Sequence, residues 1–182
     1  MLISDPVGSQ SHANVCKSIV EGIDSSLTVD TYLGSFQAGV QYALDNGYAV
    51  VSRSTTGLAD YDNTAGQEIL DSGGIAVHAH GSNTYEEIND YSSVQSIVSV
   101  RDADGSYGDG IEFTLTNYTT ESWTTAYMAG KIASYGRQYP ALTYTQIRQV
   151  IRDNSSNGGV WTAITGYGTP DWTAIETALA GL

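Results

Sequence analysis

Hydrophobic period is what most constrains this chain. Apolar runs of strand length alternate, from one end to the other, with stretches whose apolar residues recur three and four apart. Residues 1–5 read as a short strand, and residues 10–22 carry His12, Val15, Cys16, Ile19 and Val20 at helical spacing. A strand over 27–33 runs into Gly34. A helix over 35–46 places Phe36, Val40, Ala43 and Leu44 on one face and stops at Gly47. Residues 48–53 read as a buried strand, 64–72 as a helix stopped by Gly73, and 75–80, 94–102 and 111–116 as further strands. A long helix is expected over 122–139. Thr143-Tyr144-Thr145-Gln146 has the form of a capping box starting a helix to Asp153, and Pro170 is placed to open a last helix to Leu179. Strands and helices taking turns in this way predict an α/β fold of three layers, a mostly parallel sheet flanked by helices. In such sheets ligands bind at the carboxyl ends of the strands. Asp5, Ser54, His80 and Gly81 fall at strand ends in this reading, and His12 and Ser122 at helix starts, so they can converge on one edge.

The 182 residues suffice for one core, and no repeat, linker or proline cluster divides them, so a single domain over 1–182 is expected. Hydrophobic residues make up 41% of the chain, yet no run approaches the ~18 that a membrane span requires. A net charge of -13 opposes binding to duplex nucleic acid or an anionic bilayer, and neither is expected as a partner. Cys16 is the sole cysteine and has no internal disulfide partner. Residues 1–5 are too short, and lack the basic start, for a secretory leader. The expectation is a chain inside a cell or particle, or one whose leader has been removed. The sequence leaves the oligomeric state open.

The stretch most suggestive of chemistry is Thr120-Glu121-Ser122-Trp123-Thr124-Thr125-Ala126-Tyr127-Met128-Ala129-Gly130. A serine at the head of a small-residue helix is commonly an N-cap. The same placement sets a hydroxyl beside the backbone N–H groups of a helix start, where an oxyanion is stabilised, and a base that takes its proton would make it a nucleophile.

Four blocks, in order along the chain, then resemble the subtilisin-like serine proteases. Ser11-His12 opening a helix resembles their histidine block. Residues 35–47, followed by Val50-Val51-Ser52-Arg53-Ser54-Thr55-Thr56-Gly57, resemble their helix, strand and Ser-x-Gly-Gly substrate segment. Gly73-Gly74-Ile75-Ala76-Val77-His78-Ala79-His80-Gly81-Ser82-Asn83 resembles the strand ending in Ala-Gly-Asn, and the Ser122 run resembles the nucleophile block Gly-Thr-Ser-Met-Ala-x-Pro-x-x-Ala-Gly. Residues 139–151 and 166–171 resemble the two closing elements. The chain departs from the pattern at Thr120-Glu121, at Ala126, after His12, and in its shorter length. Its ending also resembles that of the sedolisins, but they carry Gly-Asp where this chain has Gly81-Ser82, and an acidic pair on the first helix where it has His12.

The resemblance implies a subtilisin-like catalytic domain acting on polypeptide, with Ser122 attacking the carbonyl, His12 as general base and Asp5 orienting the imidazole. Asp5 precedes His12 by only seven residues (12 − 5 = 7), a link that extends to roughly 23–25 Å and so allows contact. Asn83, or Ser82 under strict alignment, is implied as an oxyanion donor beside the Ser122 N–H. Ser54, Thr55, Thr56 and Gly57 are implied to pair with substrate, opposite Ala79, His80 and Gly81. A non-catalytic peptide-binding or structural module on the same fold is the alternative, which Glu121 favours, and an esterase or amidase is a third reading.

No cofactor is expected. His78 and His80 share a face, but no third zinc ligand is evident. Asp102, Asp104, Asp109 and Glu112, with Gly105, Gly108 and Gly110 among them, resemble a loose calcium loop without EF-hand spacing. A solvated acidic loop is the simpler reading, with structural calcium as its alternative.

Overall fold

The computed structural model describes residues 1–5, 9–54, 63–79, 97–102, 111–118, 120–162 and 165–182. Among them are six strands, β1 (Leu2–Asp5), β2 (Asp30–Leu33), β3 (Val50–Arg53), β4 (Ile75–Ala79), β5 (Ile97–Asp102) and β6 (Phe113–Leu115). Six helices accompany them: α1 (Gln10–Ile23), α2 (Phe36–Asn46), α3 (Asn63–Asp71), α4 (Glu121–Gln138), α5 (Tyr144–Asp153) and α6 (Trp172–Ala180). The strands form one sheet in the order β2-β1-β3-β4-β5-β6, and every pairing is parallel. All six strands therefore end at the same edge, where the sequence placed Asp5 and Ser54.

Strand alternation divides the core into two layers. Ile3, Val50, Ile75, Val77, Val98, Val100 and Phe113 face α1, α4, α5 and α6, while Leu2, Val51 and Ala76 face α2 and α3 with Phe36, Val40 and Ile69. Each fully buried Leu, Ile or Phe contributes about 1.5–3 kcal/mol through lost contact with water. α4 lies beneath the centre of the sheet and is buried nearly all round, from Thr124 to Tyr135. Two of its buried hydroxyls are satisfied locally: Thr124 donates to the Thr120 carbonyl at 2.8 Å and Thr125 to that of Glu121 at 2.6 Å. No helix among the described residues is long and apolar enough to cross a membrane.

The elements follow the period of the sequence, with differences at their ends. The strand expected over 27–33 is confined to Asp30–Leu33, because the ladder begins where Leu2 pairs with Asp30, and Leu27 folds into the end of α1, its N–H donating to the Asp24 carbonyl. Gly47 closes α2 in the left-handed region, φ 72°, as a C-terminal glycine should. Pro170 does not open α6. It forms a bridge with Ser155, and Asp171 caps the helix by accepting from the N–H groups of Thr173 and Ala174, both at 3.1 Å. α4 likewise begins before Ser122, with Thr120 as its cap.

Glu112 is also reassigned. It is not turned to an acidic ion loop but fully buried between two arginines. Arg148 donates to it from Nη2 at 2.6 Å, and Arg152 from Nε at 2.7 Å. Its backbone carbonyl accepts from the Tyr167 N–H, and Trp161 donates to the Ile111 carbonyl at 2.7 Å. The segment entering β6 is thus clamped to α5 and to the chain around 161–168. Asp104 and Asp109 lie outside the described residues. Removing the shared carboxylate leaves buried guanidinium charge without its counter-ion. Glu112→Ala is therefore expected to cost about 3–5 kcal/mol in urea unfolding, and Glu112→Gln distinctly less. Equal stability of Glu112→Ala and the parent would show that the clamp contributes nothing.

Candidate active site

Asp5 is the last residue of β1, where strand alternation turns it towards α1. Ser9 caps α1, its hydroxyl accepting the His12 N–H at 3.3 Å, and this fixes where the imidazole emerges from the first turn. His12 Nδ1 lies 2.6 Å from Asp5 Oδ2; the Asp5 side chain is 2% exposed and that of His12 30%. A carboxylate only accepts, so Nδ1 carries the proton it donates, and in the neutral ring Nε2 keeps its lone pair. Seven residues of chain suffice to close this contact, as their reach allows.

Ser122 is the second residue of α4 and half-buried. Thr120 Oγ1 takes the Trp123 N–H, at 3.4 Å, while the Ser122 N–H has no acceptor among the described residues. Trp123 packs edge-on against Tyr118, with ring centroids 6.3 Å apart, and Tyr118 against Tyr127 at 5.9 Å. No hydrogen bond joins the His12 ring to the Ser122 hydroxyl. What links the two helices at this level is Cys16, one turn below His12, whose thiol donates to the Ser122 carbonyl at 4.0 Å.

Cys16 is the residue that the sequence left without a role. It is fully buried among Asp5, Ser54 and Ser122. Burial pushes its thiol up to about 11 against a hydrogen bond with Ser54, and the Asp5 charge adds to the rise. Its i,i+4 spacing from His12 was the available signal. Ser54 follows β3, is buried, and its hydroxyl lies 3.2 Å from that of Ser52. Ala79 ends β4, buried and in register with Val100. Thr55, Thr56, Gly57, His80, Gly81, Ser82 and Asn83 lie outside the described residues. His78 points to the opposite face, edge-on to Phe36 with centroids 5.7 Å apart, and its Nδ1–H donates to the Ala79 carbonyl at 2.7 Å. Among the described residues no three His, Cys, Asp or Glu side chains cluster as metal ligands.

Asp5, His12, Cys16, Ser54 and the first turn of α4 thus share one edge: a buried acid, an imidazole oriented by it, and a serine at an open helix start. No family model and no curated protein matches the chain in sequence. Its backbone is similar to solved structures. The prenylagaramide maturation protease PagA superposes with a TM-score of 0.72 at 12% identity, over 99% of this chain and 92% of that one. Fervidolysin from Fervidobacterium pennivorans, a keratinolytic enzyme related to subtilisin, gives 0.62 at 15% identity over 85% of this chain. The PatG macrocyclase, solved in complex with peptide, gives 0.64 at 12% over 86%. This chain spans 33% of fervidolysin and 62% of the macrocyclase. The fold is that of the subtilisin-like proteases, in a compact and divergent form.

The raised thiol of Cys16 carries an expected outcome. The thiolate reacts with Ellman's reagent, and below about pH 11 the folded chain holds Cys16 as the thiol. At pH 8 the native protein should label far more slowly than the urea-unfolded chain. Equal rates would place Cys16 outside the buried junction.

Proposed function

We propose that the chain is a serine endopeptidase cleaving polypeptide through an acyl-enzyme, with Ser122 as nucleophile, His12 as general base and then acid, and Asp5 as the carboxylate behind the imidazole. The observation carrying this reading is the 2.6 Å hydrogen bond between His12 Nδ1 and the buried Asp5. It fixes the tautomer in which Nε2 is free to take a proton, next to the helix whose first turn holds Ser122. A peptide seen in the macrocyclase is in keeping with a polypeptide ligand here.

In this reading Ser122 Oγ attacks the scissile carbonyl as its proton passes to His12 Nε2. The resulting imidazolium, stabilised by Asp5, returns the proton to the leaving amine, and water attacks the acyl-Ser122 ester by the same route in reverse. The Ser122 N–H is one donor to the oxyanion, and Asn83 or Ser82 is assigned the second. Each such donor is worth about 10²–10³ in turnover. Ser54, Thr55, Thr56 and Gly57, which follow β3 in the sequence, are assigned to pair with an extended substrate, with Ala79, His80 and Gly81 assigned opposite them.

A non-catalytic peptide-binding module is the second reading. Glu121, beside Ser122, favours it, since an inward carboxylate would oppose an oxyanion, and so does the lack of a hydrogen bond between the His12 ring and the Ser122 hydroxyl.

A fluorophosphonate reagent separates the two. The protease is expected to take the label on Ser122, and Ser122→Ala to lose both the label and, by a factor on the order of 10⁶, peptide turnover. A folded parent with unlabelled Ser122 would favour the module. Asp5→Asn tests the acid. Its amide donates to Nδ1 and holds the tautomer whose Nε2 is already protonated, so turnover should fall by about 10⁴ with little loss of stability. Parental activity in Asp5→Asn would remove Asp5 from the mechanism.

A further inference from the structure

On the face of the sheet away from His12, three buried polar side chains stand in one row across the strand ends. Ser4 on β1 is in register with Arg53 on β3, and Arg53 with His78 on β4. Each is at most 1% exposed. The row borders the apolar layer of Leu2, Phe36, Val40 and Val51. A guanidinium held there loses its hydration, and a methionine of similar volume would fill the space at no such cost.

Arg53 Nη1 donates to the Gly34 carbonyl at 2.8 Å and to Ser4 Oγ at 3.3 Å. The Gly34 N–H in turn donates to the Asp5 carbonyl at 3.0 Å. The peptide group on each side of Gly34 is thus anchored, one to the end of β1 and the other to β3. β1 is the strand between β2 and β3, and it ends at Asp5. At that level the ladder that keeps β2 and β3 apart stops, and the Arg53 side chain spans from one to the other. Ser54, the residue after Arg53, opens the segment assigned above to substrate.

We propose that Arg53 is a positioning residue for peptide binding: by holding Gly34 and Ser4, it sets the separation between the β2 exit and the β3 exit at Ser54, and so the width of the lane that an extended polypeptide enters. The proposal rests on the assignment of Ser54, Thr55, Thr56 and Gly57 to substrate. Arg53 does not reach the reacting groups, which lie on the other face. Its loss weakens the engagement of a long chain and spares a substrate too small to use the lane.

The test compares Arg53→Met and Arg53→Lys with the parent. The probes are fluorescein-labelled casein and p-nitrophenyl acetate, with casein affinity read by anisotropy in a Ser122→Ala background and folding by thermal unfolding. Arg53→Met is expected to keep a cooperative transition, to weaken casein affinity and raise KM by about tenfold, and to hold ester turnover within about twofold. Arg53→Lys, which keeps a donor but no fork, should fall between. Unchanged casein affinity in folded Arg53→Met overturns the proposal, and so does a parallel loss on both probes, the mark of a purely structural role. Should Arg53→Met fail to fold, Arg53→Lys decides on the same readouts. A parent that binds casein without cleaving it refutes the protease reading and leaves the affinity test of Arg53 standing. A parent that does not bind casein overturns the positioning role as well.

Discussion

The close packing of α1 on α4 is the constraint on which the site depends. α1 brings Ala13, Cys16 and Val20 to the contact, and α4 brings Ala126, Ala129, Gly130 and Ala133. Small side chains let the two backbones approach. A Cβ on Gly130 would stand 2.7 Å from the tip of the Ile23 side chain and 3.3 Å from the Val20 backbone, so Ile23 would have to turn aside and α1 to give by a few tenths of an ångström. That approach decides whether an imidazole fixed to one helix and a hydroxyl fixed to the other share an edge. Cys16 fits the same requirement, since it is small enough to lie between the helices and polar enough to meet the Ser122 carbonyl.

The parallel sheet supplies the second half of the arrangement. With all six strands running one way, side chains two apart along a strand lie at the same edge on the same face, and side chains one apart lie on opposite faces. Asp5 and Ser54 belong to the face that meets α1. Ser4 and Arg53, their immediate neighbours, belong to the other. The edge therefore carries two polar rows back to back, one beside the imidazole and one beneath the exits of β2 and β3.

Much of this was legible in the sequence, because it depends on local period. Helix and strand positions, the stop at Gly47 and the capping box at Thr143 are all decided within a few residues. The contact between Asp5 and His12 was legible too, since seven residues of chain limit where the two can be. What escaped depends on register and on distant partners. Arg53 reads as one residue in an apolar run until β1 is laid beside β3. Glu112 reads as part of an acidic loop until α5, 36 residues further on, places Arg148 against it. Pro170 misled because a proline before a helix suits both the first turn and the residue ahead of the cap, and only the Asp171 side chain distinguishes them.

The Glu112 clamp has a consequence for the order in which the site comes into being. Asp5 and His12 lie only seven residues apart (12 − 5 = 7), so their contact spans a short loop. The turn that holds Ser122 follows β6, and β6 is secured to residues some fifty positions further along the chain, around Tyr167 and Gly168. The Asp5–His12 pair can therefore form locally, whereas the turn that holds Ser122 depends on a segment that is made well after it.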